Sequence, residues 1–290
     1  MVKLKGFDKF REKTPILNGK RIVIIPVYIL TLILITFFIL TQFYLLPGRL
    51  SSEFSWQILS ILPLVSVLLM EFIGLILVSQ MWIWRDILRK KYDQFSYQKI
   101  FPVGLAGIII IISLAFNIYI DFSSYSASFW HNYQAFFLVK PFYQLFGSNE
   151  SIIIHDLQTL LGSIFLILGL CTSLRSIFTF GFDNTTVVYV YFPEESEIKE
   201  NQIYSVIRHP MYSGMILVAF GGFLTTFTLY SFLFFTIFFL GFYVHVHFVE
   251  EPELLARFGE SYKSYTKKVP PFFINPVNFP NLMKFILKGG

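Results

Sequence analysis

Residues 211–248 read MYSGMILVAFGGFLTTFTLYSFLFFTIFFLGFYVHVHF, without a single Asp, Glu, Lys or Arg. A helix rises 1.5 Å per residue and a hydrocarbon core is about 30 Å thick, so the run fits two crossings that fold back on each other. The expected spans are Met211–Thr228 and Tyr230–Phe248, with Leu229-Tyr230-Ser231 turning a tight helical hairpin. Moving outward, four more apolar runs are long enough to cross: Ile22–Leu46, Ile58–Trp84, Phe101–Ile120 and Ile152–Leu174. The first follows Lys20-Arg21 and is too long for a cleaved signal peptide, so it reads as a helix.

The composition agrees. Of 290 residues, 55% are hydrophobic, 19% aromatic and 14% charged, whereas a soluble domain carries about a quarter charged residues. One or two water-soluble cores are thereby excluded. The expected fold class is all-α: a polytopic integral membrane protein with about six transmembrane helices and a C-terminal amphipathic interfacial helix. Cys171 is the one cysteine, which excludes an internal disulfide framework and a thiolate zinc cluster.

The net charge of +5 is explained by topology. On the six-span reading, all but Arg49 and Lys140 of the 23 basic residues fall on one face. By the positive-inside rule, that face is cytoplasmic and holds both termini and the Arg175–Arg208 connection. No nucleic-acid partner is needed, and the lipid bilayer is the partner the charge pattern implies. Trp56, Trp82, Trp84 and Trp130 fall near the expected interfaces. The far-side connection Asp121–Ser151 is aromatic and poor in charge, and Asn149-Glu150-Ser151 matches a glycosylation sequon. The chain divides into a basic tail (1–21), a four-helix membrane region (22–174), a region holding the polar clusters (175–270) and a C-terminal tail (271–290).

Few ionisable residues lie inside the spans. Glu71 sits mid-run, where a carboxylate needs a partner or a cavity. His245 and His247 precede Glu250-Glu251 at the end of the last span, but residues two apart point about 200° apart on a helix, a poor arrangement for joint metal ligation. No metal is expected.

Two polar clusters stand out. The first, Tyr204 to Gly214, contains Arg208-His209-Pro210-Met211-Tyr212, with Pro210 suited to a first helical position. A helix start beside Arg208 and His209 suits a carboxylate or phosphate, and equally suits a membrane corner whose cations reach lipid headgroups. The second runs from Glu250-Glu251 through Phe258-Gly259 to Val269-Pro270. Leu254, Leu255, Phe258, Tyr262 and Tyr265 form an apolar stripe at helical spacing, expected to lie on the membrane and to stop at Pro270-Pro271. A tight hairpin must return the two clusters to the same side, with this helix as a lid beside both.

The combination of Arg-His-Pro-x-Tyr-x-Gly, a two-span hairpin, Glu-Glu and Phe-Gly-x-x-Tyr-x-x-Tyr-x-x-x-Val-Pro resembles the C-terminal half of the isoprenylcysteine carboxyl methyltransferases. Phospholipid N-methyltransferases and bacterial methanethiol S-methyltransferases are similar. The resemblance implies a membrane enzyme that binds S-adenosyl-L-methionine on the cytoplasmic side and methylates a lipophilic or small acceptor. It places cofactor contacts on Tyr204, His209, Pro210, Met211, Tyr212 and Glu250, and further ones around Ile198 and Lys199. Two positions depart from the pattern. Gln202 replaces a Gly two residues before Tyr204, and Val246 stands where the prenylcysteine enzymes carry a substrate-binding Arg.

Methyl transfer from a sulfonium is an in-line displacement that needs alignment and exclusion of water. Arg208, His209 and the helix start are candidates for the cofactor's carboxylate, Glu250 for its amino group or ribose, and Tyr204 and Tyr212 for cation–π contact with the sulfonium. A thiolate or carboxylate acceptor needs no activation, while an amine must lose a proton, with His245, His247 or Glu251 nearest. Two alternatives come from other classes. Sterol C14/C7 reductases, which use NADPH, have a related hairpin but read Arg-His-x-Asn-Tyr-x-Gly-Asp, whereas here Pro210 follows His209 and Met215 follows Gly214. A transporter or membrane scaffold would use the same spans without a cofactor.

Overall fold

A computed structural model describes residues 5–17, 19–50, 62–117, 119, 142 and 152–288. Trp56, Trp130, Lys140 and, apart from Phe142, the Asp121–Ser151 connection with its sequon lie outside these residues. The described chain is helical, with no β-strand among the described residues.

A short helix α1 (Phe7–Lys13) precedes α2 (Ile24–Leu50), α3 (Leu62–Ile83), α4 (Arg85–Tyr92), α5 (Ser96–Asn117) and α6 (Ile152–Phe180). Two single turns, α7 (Phe182–Thr185) and α8 (Val188–Tyr191), lead to α9 (Pro210–Thr226) and α10 (Leu229–His245). A π-helical segment, Val246–Glu250, joins α10 to α11 (Glu251–Phe258), followed by α12 (Glu260–Lys268) and α13 (Phe279–Lys288). Among the described residues, five helices are long and apolar enough to cross a membrane. The expected fifth span is the exception: α9 has 17 residues, about 25 Å of helix against a core of about 30 Å.

The membrane helices are apolar nearly all round, so lipid-facing positions such as Phe38, Phe72 and Ile167 stay exposed. Their hydroxyl residues are absorbed locally. Thr172 donates to the Leu168 carbonyl and Thr225 to that of Gly221, four residues back in each case. Glu71 is buried in α3, with Oε2 unpaired and the carboxylate against Gly241 of α10.

Helices α6 and α9 meet backbone to backbone. A Cβ on Gly169 would stand 2.6 Å from the Gly214 carbonyl, and one on Gly214 would stand 2.6 Å from that of Gly169. Gly162 and Gly221 oppose each other in the same way one layer further along. In lipid, close approach of this kind replaces the hydrophobic drive as the source of helix affinity. The partner of the small-residue face around Gly221 and Thr225 is therefore α6.

The hairpin turn lies earlier than expected. Phe227 takes left-handed φ 45° and donates its N–H to Phe223, while Thr228 caps α10 in a reciprocal capping box with Ser231. Leu229 and Ser231 thus belong to α10 itself.

The N-terminal basic tail is partly built into the fold. Phe10 of α1 is fully buried against Tyr97, Phe101 and Phe182, and Lys13 pairs with Glu195 at 2.8 Å. Phe182 N–H donates to the Lys5 carbonyl at 2.7 Å. These contacts fix the start of the segment that lies between α6 and α9.

Candidate active site

The hairpin brings the two polar clusters together. His209 is the N-cap residue of α9, and its ring lies between Glu250 (Nδ1 to Oε1, 3.5 Å) and Glu251 (Nε2 to Oε1, 3.3 Å). Burial alone pushes the His209 pKa down. The two carboxylates outweigh it and raise the value from 6.5 to about 9, so His209 is an imidazolium at neutral pH. Tyr212, one turn into α9, donates its hydroxyl to Glu250 Oε2 at 2.8 Å and stacks on Phe242 of α10.

The π-helical segment sets which residues face this centre. In α geometry His245 and Glu250 would lie about 140° apart around the axis. The wider i to i+5 turn brings them toward a common face. His245 is buried, with Nδ1 3.1 Å from Ser79 Oγ of α3 and its ring edge-on to Trp82 and Tyr212. Val246, at the position of the missing Arg, is buried in the core. His247 turns outward, stacked on Tyr243 and exposed. Trp82, near the end of α3, lines an interior cavity.

The lid differs from the expected single helix. Gly259, at φ +58°, breaks it into α11 and α12, and the stripe faces inward. Tyr262, Tyr265 and Val269 are buried with Leu254, Phe258 and Ile198, while Leu255 stays exposed. This stripe therefore covers the site. Arg208 fastens the lid. Its guanidinium donates to the Thr266 and Val269 carbonyls at the end of α12 (2.8 and 3.0 Å) and to Glu251 Oε1 (2.6 Å). Backbone bonds from Arg208 and His209 to Pro270 and Pro271 complete the seam.

The pocket beneath the lid is lined by Ile198, Lys199, Tyr204, His209, Pro210, Met211, Tyr212 and Glu250, which are the eight cofactor positions expected from sequence, and by Arg208. Glu251, His245 and His247 do not line it. Leu254, Phe258, Tyr262 and Tyr265 of the expected lid also line it, while several other lining residues carried no expectation. Ser176 hydrogen-bonds the Tyr204 hydroxyl at 2.7 Å from within α6, and Tyr265 donates to the Tyr204 carbonyl. Tyr262 and Tyr265 were legible as the tyrosines of the second motif. Thr185 and Val187 come from a stretch without any motif.

The turn at Gln202 survives the loss of glycine. Gln202 takes φ +51°, the left-handed region that glycine favours. Its side chain accepts a hydrogen bond from Thr179 Oγ1 at 3.0 Å, tying the strained turn to α6.

With this geometry in view, residues 157–261 match the family model for phospholipid methyltransferases. The protein is a membrane methyltransferase. The matched stretch runs from α6 through the hairpin to the start of α12, so it holds the first motif cluster, Glu250-Glu251 and Phe258-Gly259, and stops just short of the pocket tyrosines Tyr262 and Tyr265. It bears out the resemblance to this group of membrane methyltransferases without singling out the prenylcysteine branch. Comparison with curated proteins and with solved structures gave no match.

Proposed function

We propose that this methyltransferase binds S-adenosyl-L-methionine in the pocket between α9, α11 and α12 and passes its methyl group to a lipophilic or small acceptor, in the manner of the isoprenylcysteine carboxyl methyltransferases and their relatives. The convergence of the eight expected positions on one pocket carries this reading. The pocket also fits the chemistry of the donor. It combines cations (Lys199, His209), a carboxylate (Glu250) and several aromatic rings, and two buried groups at its wall, Arg208 Nε and the Tyr262 hydroxyl, are unpaired.

The donor supplies a methyl group on a positively charged sulfur. The chain supplies position and dryness. Lys199 and the unpaired Arg208 Nε–H suit a carboxylate beside the start of α9, near the His209 charge that Glu250 and Glu251 hold in place. Glu250, held by Tyr212 and His209, suits an amino group or ribose hydroxyls. The faces of Tyr204 and Tyr212 favour a sulfonium through cation–π attraction. Arg208 and Glu251 act by holding the lid closed, which excludes water from the reacting atoms. The distribution of basic residues supports a cytoplasmic position for this pocket and both termini.

Titration of the purified protein with S-adenosylhomocysteine tests the assignment. His209→Ala and Glu250→Ala are expected to weaken binding at least tenfold, a loss of about 1.4 kcal/mol or more. Unchanged affinity in both variants would sink it.

A further inference from the structure

Beside the cofactor pocket lies a second cavity of about 130 Å³, which adjoins it at the shared lining residues Thr185, Val187, Met211 and Tyr212. Val78 and Met81 of α3 and Ile108 and Ile111 of α5 form much of its wall, and no Asp, Glu, Lys or Arg lines it. It approaches in size the dry protein cavities of roughly 150 Å³ that take up benzene. Its polar wall atoms are mostly committed: Ser173 to the Met211 carbonyl, Thr185 to that of Gly181, Tyr212 to Glu250. Two buried ones are unpaired, His245 Nε2 and Trp82 Nε1. His245 is 3% exposed and its other nitrogen is held by Ser79.

We propose that this cavity receives the reactive end of the methyl acceptor, and that His245 Nε2 accepts the proton which the acceptor's nucleophile gives up. The proposal rests on the cofactor reading above and deepens it. In the tautomer this step uses, Nδ1–H donates to Ser79 Oγ and the lone pair is on Nε2, so Ser79 is a positioning residue that holds the ring. A carboxylate entering these walls would lose its hydration and meet no cation. A neutral amine or thiol on a short apolar body loses little. Its lone pair forms the new bond to the methyl carbon, the electrons of the old sulfur–carbon bond stay on the donor's sulfur, and its proton passes to Nε2. Met211 and Tyr212, which border both cavities, flank the line of transfer.

Hexylamine, hexanethiol and hexanoate, each offered with methyl-labelled S-adenosylmethionine, test the proposal alongside S-adenosylhomocysteine binding. Label is expected in the amine or the thiol at least tenfold faster than in hexanoate. His245→Gln is expected to lower that rate at least tenfold, to leave S-adenosylhomocysteine affinity within about twofold, and to remove a rising limb from the pH profile of kcat. Ser79→Ala is expected to shift that limb without abolishing it. The groups facing His245 are Ser79 and Trp82 from α3, Tyr212 and His209 from α9 and its cap, and Glu250 from the π-helical segment. If the wild-type protein fails to bind S-adenosylhomocysteine, the cofactor reading falls. If it binds, three results overturn this proposal alone: hexanoate methylated as fast as the others, no transfer to any probe, or a wild-type rate and pH profile in His245→Gln.

Discussion

Arg208 reaches across the site to Glu251, Nη2 to Oε1 at 2.6 Å, and the same guanidinium takes the last carbonyls of α12. A cation in the first motif thus fixes the lid that belongs to the second. Both partners are largely buried, and breaking such a pair typically costs about 3–5 kcal/mol because the remaining charge is stranded. Arg208→Ala is expected to lower the unfolding temperature and to expose the Lys267-Lys268 bond to trypsin. Arg208→Lys should restore only part of the stability, since an ammonium cannot bridge three acceptors in a fixed plane. Trypsin resistance equal to wild type in Arg208→Ala would show that the lid is held by other contacts.

The His209 imidazolium gives the fold a basic limit. Its folded pKa, about 9, lies above the ordinary 6.5. The stability it contributes is therefore complete below about pH 6.5 and is lost as the pH rises through about 9. Thermal unfolding in detergent from pH 6 to pH 10 should show the gap between wild type and His209→Asn closing across that window. A gap independent of pH would contradict the ion pairing with Glu250 and Glu251.

The α6–α9 seam should resist any added volume. Gly214→Ala places a methyl group 2.6 Å from a carbonyl oxygen and 2.1 Å from Ser173 Oγ. The helices must then separate at a cost of about 1–3 kcal/mol. Because α9 begins at Pro210, this shift also moves Met211 and Tyr212, so weaker S-adenosylhomocysteine binding is expected together with the loss in thermal stability.

Gln202 separates backbone strain from side-chain anchoring. Gln202→Gly relieves a left-handed strain of about 1–2 kcal/mol and loses a hydrogen bond worth about 1, so stability should change by about 1 kcal/mol or less. Gln202→Val loses the bond and puts a β-branched residue at φ +51°, and should cost about 2–3 kcal/mol. Equal unfolding temperatures for the two variants would show that the turn is not strained.

Much of the site could be read without coordinates because its parts are local. Arg208, His209 and Pro210 sit together in sequence, and a short hairpin has no other way to return than to Glu250-Glu251. Lid direction was not local. The stripe of Leu254, Phe258, Tyr262 and Tyr265 has the same periodicity whether it faces lipid or protein, and Gly259 was free to be a helical residue or a break. The choice depends on Ile198 and Tyr204, which arrive from a segment far away in sequence and give the tyrosines something to cover.

Charge scarcity, the length of the apolar runs and two motif clusters determined from sequence alone that this is a helical membrane protein with one polar corner, because a bilayer imposes those constraints residue by residue. Which histidine faces inward was decided only by the tertiary structure. His245 and His247, two residues apart, point to opposite sides of any helix, and packing against Ser79 on α3 decides that His245 turns into the apolar cavity and His247 onto the outer face. That choice rests on a contact 166 residues away in the chain, which has no local signature.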